Sequence, residues 1–253
     1  MPLVRYEPQE PDGRVVLITM DRPEKLNAMS LVMIEEMAAA WARLEQEAAA
    51  RAAVLTGAGR AFCVGLDMKD IAEGKLAASV LQTVTPNRFS PRSQSKPVVG
   101  AINGAALGAG LDFVAMDCDL LVAAEEATFG MPEVMAGMAS LGSPFAWAGV
   151  PRALAMELFL TGDPITARRA FEGGFVNRVL PAARVLPAAL ALARRIAEHA
   201  PNAVRQSRKN LMEATQTAET PRVAETSAPH RQDMRESTAR GIEFFVKKQR
   251  PQW

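Results

Sequence analysis

Few residues of this chain have the type and setting to act as nucleophile, base or metal ligand. The two histidines, His199 and His230, both fall in the C-terminal part of the 253-residue sequence. Ser140 precedes Leu141-Gly142, half of the sharp turn that presents a hydrolase serine, but Met138 stands where the first glycine belongs. A Ser/His hydrolase is therefore not supported. No His, Cys or carboxylate group has metal-ligand spacing, so no metal is expected. Cys63 and Cys118 lie in apolar stretches and in no C-x-x-C pair, which predicts buried free thiols in a reducing cytosol. Two Gly-x-Gly turns, Gly57/Gly59 and Gly108/Gly110, follow strand-like runs. A dinucleotide turn needs a third glycine three residues on, and Phe62 and Phe113 stand there, where a ring would keep the helix off the strand.

Those turns belong to a chain of alternating elements. Val15 to Met20, Ala52 to Thr56, Ala61 to Val64, Val98 to Ile102, Leu120 to Ala123 and Val176 to Leu180 are short apolar or β-branched runs and read as strands. Ser30 is placed to cap a helix in which Leu31, Ile34, Met37, Trp41 and Leu44 make one apolar face. Leu111 to Met116 reads as a buried helix, followed by Pro151 to Leu160, Thr166 to Glu172, Leu186 to His199 and Asn202 to Thr215. Gly162 and the pair Gly173-Gly174 sit where helix C-termini favour positive φ. The class is α/β. From Gly74 to Leu111 there is no acidic residue, while Lys75, Arg88, Arg92 and Lys96 are basic; this is either a solvated loop or a surface for an anionic ligand.

Bulk properties narrow the function. Hydrophobic residues make up 49%, charged residues 23%, and the net charge is +1, which is globular and argues against nucleic-acid binding. No run reaches the ~18 apolar residues of a membrane span. The N-terminal segment carries charges where a signal peptide has its apolar stretch, so a cytoplasmic protein is expected.

Four segments, in order, carry a family resemblance. They are Asp21-Arg22-Pro23-Glu24-Lys25-Leu26-Asn27-Ala28-Met29; Arg60-Ala61-Phe62-Cys63-Val64-Gly65-Leu66-Asp67-Met68; Lys96-Pro97-Val98 through Asn103-Gly104 and Gly108-Ala109-Gly110 to Phe129-Gly130-Met131-Pro132-Glu133-Val134; and Ala155-Met156-Glu157-Leu158 to Thr161-Gly162-Asp163-Pro164-Ile165. Together they resemble the crotonase, or enoyl-CoA hydratase/isomerase, family over nearly the whole chain. The resemblance implies a spiral of β-β-α units (residues 1–198) with a C-terminal helical region (199–253) that mediates trimers, often paired into hexamers. The apolar stripe Ile242, Phe245 and Val246 is consistent with burial against a neighbour.

The implied chemistry is stabilisation of a thioester enolate. In the family two backbone N–H groups hold the carbonyl oxygen, and they match Leu66 and Ala109 here. Hydratases add a pair of acids, which match Glu133, exchanging a proton with the α-carbon, and Asp112, activating water at the β-carbon. The resemblance implies coenzyme A as part of the substrate and no separate cofactor. The adenine lies near Lys25, Leu26 and Ala28 and near Leu66, Asp67 and Met68, and the phosphates meet Lys247, Lys248 or the 74–96 segment. Three positions depart from the family pattern. The helix acid is Asp rather than Glu, and counted back from Cys118-Asp119 its place falls on Phe113. A site with Glu133 alone would suit an isomerase, or a CoA-thioester binder with another activity or none. Ala109 replaces the middle glycine of a triplet. The stretch from Met138 to Trp147 is bulky, which leaves the acyl group unnamed.

Overall fold

The computed structural model describes residues 2–76, 95–138 and 150–216, together with Glu243, Phe244, Lys247 and Gln249. Arg88, Arg92, Ser140, His230, Lys248, the stripe Ile242, Phe245 and Val246, most of the bulky stretch after Met138, and the side chain of Phe113 lie outside the described residues.

The fold is built by repetition of one step. In three successive units a strand enters a large sheet, the next strand enters a small one, and a helix or helical turn follows. The first unit is β3 (Ala52–Gly57), β4 (Ala61–Cys63) and α2 (Met68–Ala72). The second is β5 (Val98–Ile102), β6 (Ala105–Leu107) and α3 (Ala109–Asp117). The third is β7 (Leu120–Ala124), β8 (Thr128–Gly130) and a 3-10 turn over Pro132–Ala136. Each unit lies beside the last in parallel register, so β3, β5 and β7 are neighbours in the large sheet and β4, β6 and β8 in the small one. This is the spiral the resemblance implied. Among the described residues β1 (Val4–Pro8), β2 (Val15–Met20) and β10 (Arg178–Leu180) complete a six-stranded sheet, and β9 (Ile165–Thr166) completes a four-stranded one.

Every residue of β3 and β5 is buried, as expected of parallel strands covered on both faces. The helix α1 (Leu31–Gln46) packs against β1 and β2, and its Ser30 cap accepts from the Met33 N–H at 3.3 Å. After α4 (Arg152–Thr161) and α5 (Ala167–Glu172), the helix α6 (Ala182–Glu198) lies across β2, β3, β5, β7 and β10. Its buried stripe, Val185, Ala189, Ala193 and Ala197, recurs every four residues, and small side chains let the helix sit close to the sheet. Helix α7 (Pro201–Gln216) is tied back by Arg208, whose Nε donates to both oxygens of Asp119 at 2.8 and 2.9 Å.

Several expectations shift. The α6 helix begins at Ala182 rather than Leu186 and carries Pro187 inside its second turn, where the ring gives up one i→i−4 hydrogen bond. Of the glycine pair only Gly174 takes positive φ. Strands β1, β6, β8 and β9 were not expected. The basic residues of the 74–96 segment that are described are already engaged. Lys96 is buried, and its Nζ donates to the carbonyls of Leu44 (2.6 Å) and Glu47 (2.7 Å), closing the C-terminus of α1. Lys75 pairs with Glu73 at 2.7 Å.

Candidate active site

Asn27 organises the first segment. Its side chain is wholly buried; Oδ1 accepts from the Arg22 N–H (2.9 Å), and Nδ2 faces the carbonyls of Ala58 (2.9 Å), Ala61 (2.9 Å) and Phe62 (3.1 Å). These bonds hold Leu26 and Asn27 in consecutive left-handed conformations, φ 53° and 57°. A leucine resists that conformation at a cost of order 1–3 kcal/mol, so the surrounding bonds must enforce it. The turn brings the Lys25-to-Ala28 loop against the second segment.

The two segments are then stitched together. Met29 forms a parallel bridge with Leu66: its N–H donates to Gly65 O (2.8 Å) and its carbonyl accepts from Asp67 N (2.9 Å). Arg22, largely buried, donates from Nη1 to Ala28 O (2.9 Å) and to Asp67 Oδ2 (2.7 Å). Asp67 Oδ1 also caps α2 by accepting from Lys69 N (2.9 Å). Burial works against the Asp67 carboxylate, but the Arg22 bond and the Lys69 N–H outweigh it, and its pKa falls below the ordinary range. The structure thus brings Lys25, Leu26 and Ala28 beside Leu66, Asp67 and Met68. Lys25 is exposed, Leu26, Ala28, Leu66 and Met68 are half-buried, and the Asp67 carboxylate is committed within the protein.

The bridge to Met29 uses the Gly65 carbonyl and the Asp67 N–H, on either side of Leu66, and leaves the Leu66 N–H directed away. On that other side stands the entry to α3. A methyl group placed on Gly65 (φ 99°) would lie 3.1 Å from Leu107 O and 3.6 Å from Ala109 N. The Leu66 and Ala109 amides therefore belong to adjoining turns. Among the described residues neither N–H is paired with an acceptor. Ala109 is the first residue of α3, where N–H groups are left over and the helix dipole is positive. Its Cβ packs partly against the core, so alanine fits where the resemblance would place glycine.

Both predicted acids border this turn. Asp112 lies in the first turn of α3, its N–H donating to Gly108 O at 3.0 Å, and its Oδ1 is closed off from solvent. Glu133 comes from the 3-10 turn after β8, on the next unit of the spiral. Its carboxyl lies so close to Gly108 that a methyl group there would stand 2.6 Å from Oε1. Oε2 is buried and has no hydrogen-bond partner among the described residues. Burial pushes the Glu133 carboxyl above the ordinary glutamate range, opposed only by its own backbone N–H. An acid whose pKa burial raises, set beside two N–H groups that are unpaired among the described residues, can trade a proton with a carbon acid whose enolate oxygen those groups hold. Gly108, Arg22 and Asn27 were missed as site residues; the signal for Gly108 was its place next to Ala109.

Cys63 is buried, its thiol pushed up to about 12 by desolvation, and it takes no part in this arrangement. Among the described residues no cluster of three or more His, Cys, Asp or Glu is disposed to hold a metal.

The comparisons with known proteins agree with the fold. The sequence model described as enoyl-CoA hydratase/isomerase matches residues 10–253. The mevalonyl-coenzyme A hydratase of Aspergillus fumigatus is 32% identical, with 96% of this chain and 92% of that protein covered. The 2,3-dehydroadipyl-CoA hydratase of Escherichia coli is 33% identical, with 81% of each covered. Among solved structures, a carnitinyl-CoA hydratase from Mycobacterium avium superposes with a TM-score of 0.81 at 31% identity, covering 100% of this chain and 98% of that one. With motifs, fold and near-complete matches in accord, the chain belongs to the enoyl-CoA hydratase/isomerase family.

Proposed function

We propose that the protein hydrates a 2-enoyl-CoA thioester. The observation that carries this is the Glu133 carboxyl, its Oε2 buried and without a partner among the described residues, beside the turn that carries the Ala109 N–H, with the Leu66 N–H on the adjoining turn. The thioester oxygen lies between the two N–H groups, each worth roughly 3–4 kcal/mol to a developing oxyanion. Asp112, as carboxylate, takes a proton from water while the water oxygen bonds to the β-carbon. The electron pair of the double bond moves toward the thioester, and Glu133 delivers its proton to the α-carbon. Water has then added across the double bond, and a proton passing from Asp112 back to Glu133 resets the pair. The CoA moiety lies along Lys25, Leu26 and Ala28 and along Leu66, Asp67 and Met68. Three copies assemble, alone or as a pair of trimers, in the cytoplasm.

Crotonyl-CoA hydration, followed by loss of the enoyl absorbance, is the direct assay. Glu133→Gln is expected to abolish it, and Asp112→Asn to lower kcat by about 10²–10⁴-fold. If hydration survives Asp112→Asn but not Glu133→Gln, Glu133 is the single acid of the site; a wild type that shifts a double bond without hydrating crotonyl-CoA would make isomerisation the better description.

A further inference from the structure

The Glu133 carboxyl is held in an unusual way for a catalytic acid. Among the described residues no side chain is hydrogen-bonded to it; only its own backbone N–H approaches. Among the described residues, the surface that the carboxyl rests against is Gly108. A Cβ built on Gly108 would stand 2.6 Å from Oε1, 3.5 Å from Cδ and 3.8 Å from Oε2, so the whole carboxyl group faces the bare Cα. Gly108 is itself rigidly placed. Its N–H donates to Gly130 O (2.9 Å), and its carbonyl accepts from Leu111 N (2.8 Å) and Asp112 N (3.0 Å). It also precedes Ala109 directly, so one turn locates both the acid and a proposed oxyanion donor.

We propose that Gly108 is a positioning residue for the reaction: the side chain it lacks is the space that the Glu133 carboxyl occupies, and the depth of that space sets how far the acid stands from the substrate's α-carbon. The proposal rests on the catalytic reading of Glu133 given above. A methyl group at Gly108 meets the free end of a flexible side chain, so the acid swings away rather than the fold breaking. Displacement of about 1 Å in a reacting group can cost on the order of 10²-fold in rate. Gly108 also has φ 53° and ψ −126°, which an L residue rarely adopts, so a second effect, backbone strain, must be separated from the first.

A double-mutant cycle separates them. Gly108→Ala is expected to lower kcat for crotonyl-CoA by about 10–10²-fold with KM little changed. Glu133→Asp shortens the acid by one methylene and withdraws it from the new methyl group. The double variant should therefore be no slower than Glu133→Asp alone. If the two penalties multiply instead, or if Gly108→Ala keeps the wild-type kcat, Gly108 does not position the acid and the proposal falls. If Gly108→Ala does not fold but the double variant does, the collision is confirmed; if neither folds, the role is purely one of backbone conformation and the proposal is overturned.

A second measurement does not depend on turnover. The Glu133 carboxyl titration, followed by ¹³C NMR in wild type and Gly108→Ala, should move toward the ordinary glutamate range as the displaced group reaches water. An unchanged titration overturns the proposal. Should wild type hydrate no enoyl-CoA at all, the reading of the reaction fails, and the titration still decides whether Gly108 locates Glu133.

Discussion

Burying a carboxyl is a thermodynamic burden, and at the scale of one residue Glu133, whose Oε2 has no partner among the described residues, makes this measurable. Its folded-state pKa is raised by burial, so the native protein holds the proton more tightly than the unfolded chain does. Below the unfolded glutamate pKa of ~4.3 both states are protonated, and the group has no effect on stability through ionisation. As pH climbs from there through the folded value, the carboxyl ionises more readily in the unfolded chain, and stability falls. Glu133→Gln keeps the shape and removes the charge. Its melting temperature should therefore exceed that of wild type near pH ~7, and the gap should close as pH drops past ~4.3. Thermal unfolding at a series of pH values tests this; melting curves that run parallel throughout would mean that the carboxyl is solvated. The same substitution should abolish activity, so the acid trades stability for function.

At the scale of elements, the site depends on joints between units rather than on any one helix or strand. The Arg22–Asp67 pair joins the first two segments and holds the loop that presents Leu66. Because the Asp67 pKa is depressed, its contribution is present above the unfolded aspartate pKa of ~3.9 and is lost as pH falls through the lower folded value. Asp67→Asn is expected to cost roughly 1.5–3 kcal/mol at neutral pH, the usual worth of a hydrogen bond to a charged group. Urea unfolding should show that deficit near neutrality and its disappearance in acid; a constant deficit would assign it to packing. Elements with a long or fully apolar pattern were legible in the sequence: α1 with its Ser30 cap, and β2, β3, β5 and β7. The short strands β1, β6, β8 and β9 were not. Three of them span only two or three residues, and their partners lie a whole unit away in the chain, so local pattern carries little of their signal. Within the site, Glu133 and Asp112 were named only through the family resemblance of the motifs around them, and the structure sets both beside the entry to α3. The steric seat at Gly108 and the anchoring by Asn27 were not legible, since both exist only where distant units meet. Lys96 misled for the same reason: a lysine in an acid-free stretch suggests an anion, while the fold turns it onto the two carbonyls at the end of α1.

At the scale of the whole molecule, the proposed assembly requires a surface at which copies of the chain meet. Scattered exposed apolar side chains are ordinary, but neighbouring ones mark a contact surface. Met156 and Leu160, 39% and 67% exposed, stand one turn apart on α4. Met135, 55% exposed, lies against the end of the same helix, where a methyl group on Gly162 would meet its Cγ at 2.7 Å. Met135 belongs to the 3-10 turn that carries Glu133, and that turn packs against α4, so these exposed side chains lie on two joined elements and offer an apolar corner. Burial of this corner in the proposed trimer would brace that turn, linking assembly to the placement of the acid. The wild-type protein is expected to sediment as a trimer or a pair of trimers at micromolar concentration. Met156→Lys combined with Leu160→Glu should shift it toward monomer and lower kcat along with it, since the acid-bearing turn loses its support. A wild-type monomer would remove the assembly proposal. A variant that stays fully assembled would move the contact elsewhere on the surface, and one that dissociates with kcat intact would show that the turn around Glu133 is held firm by the protomer's own core.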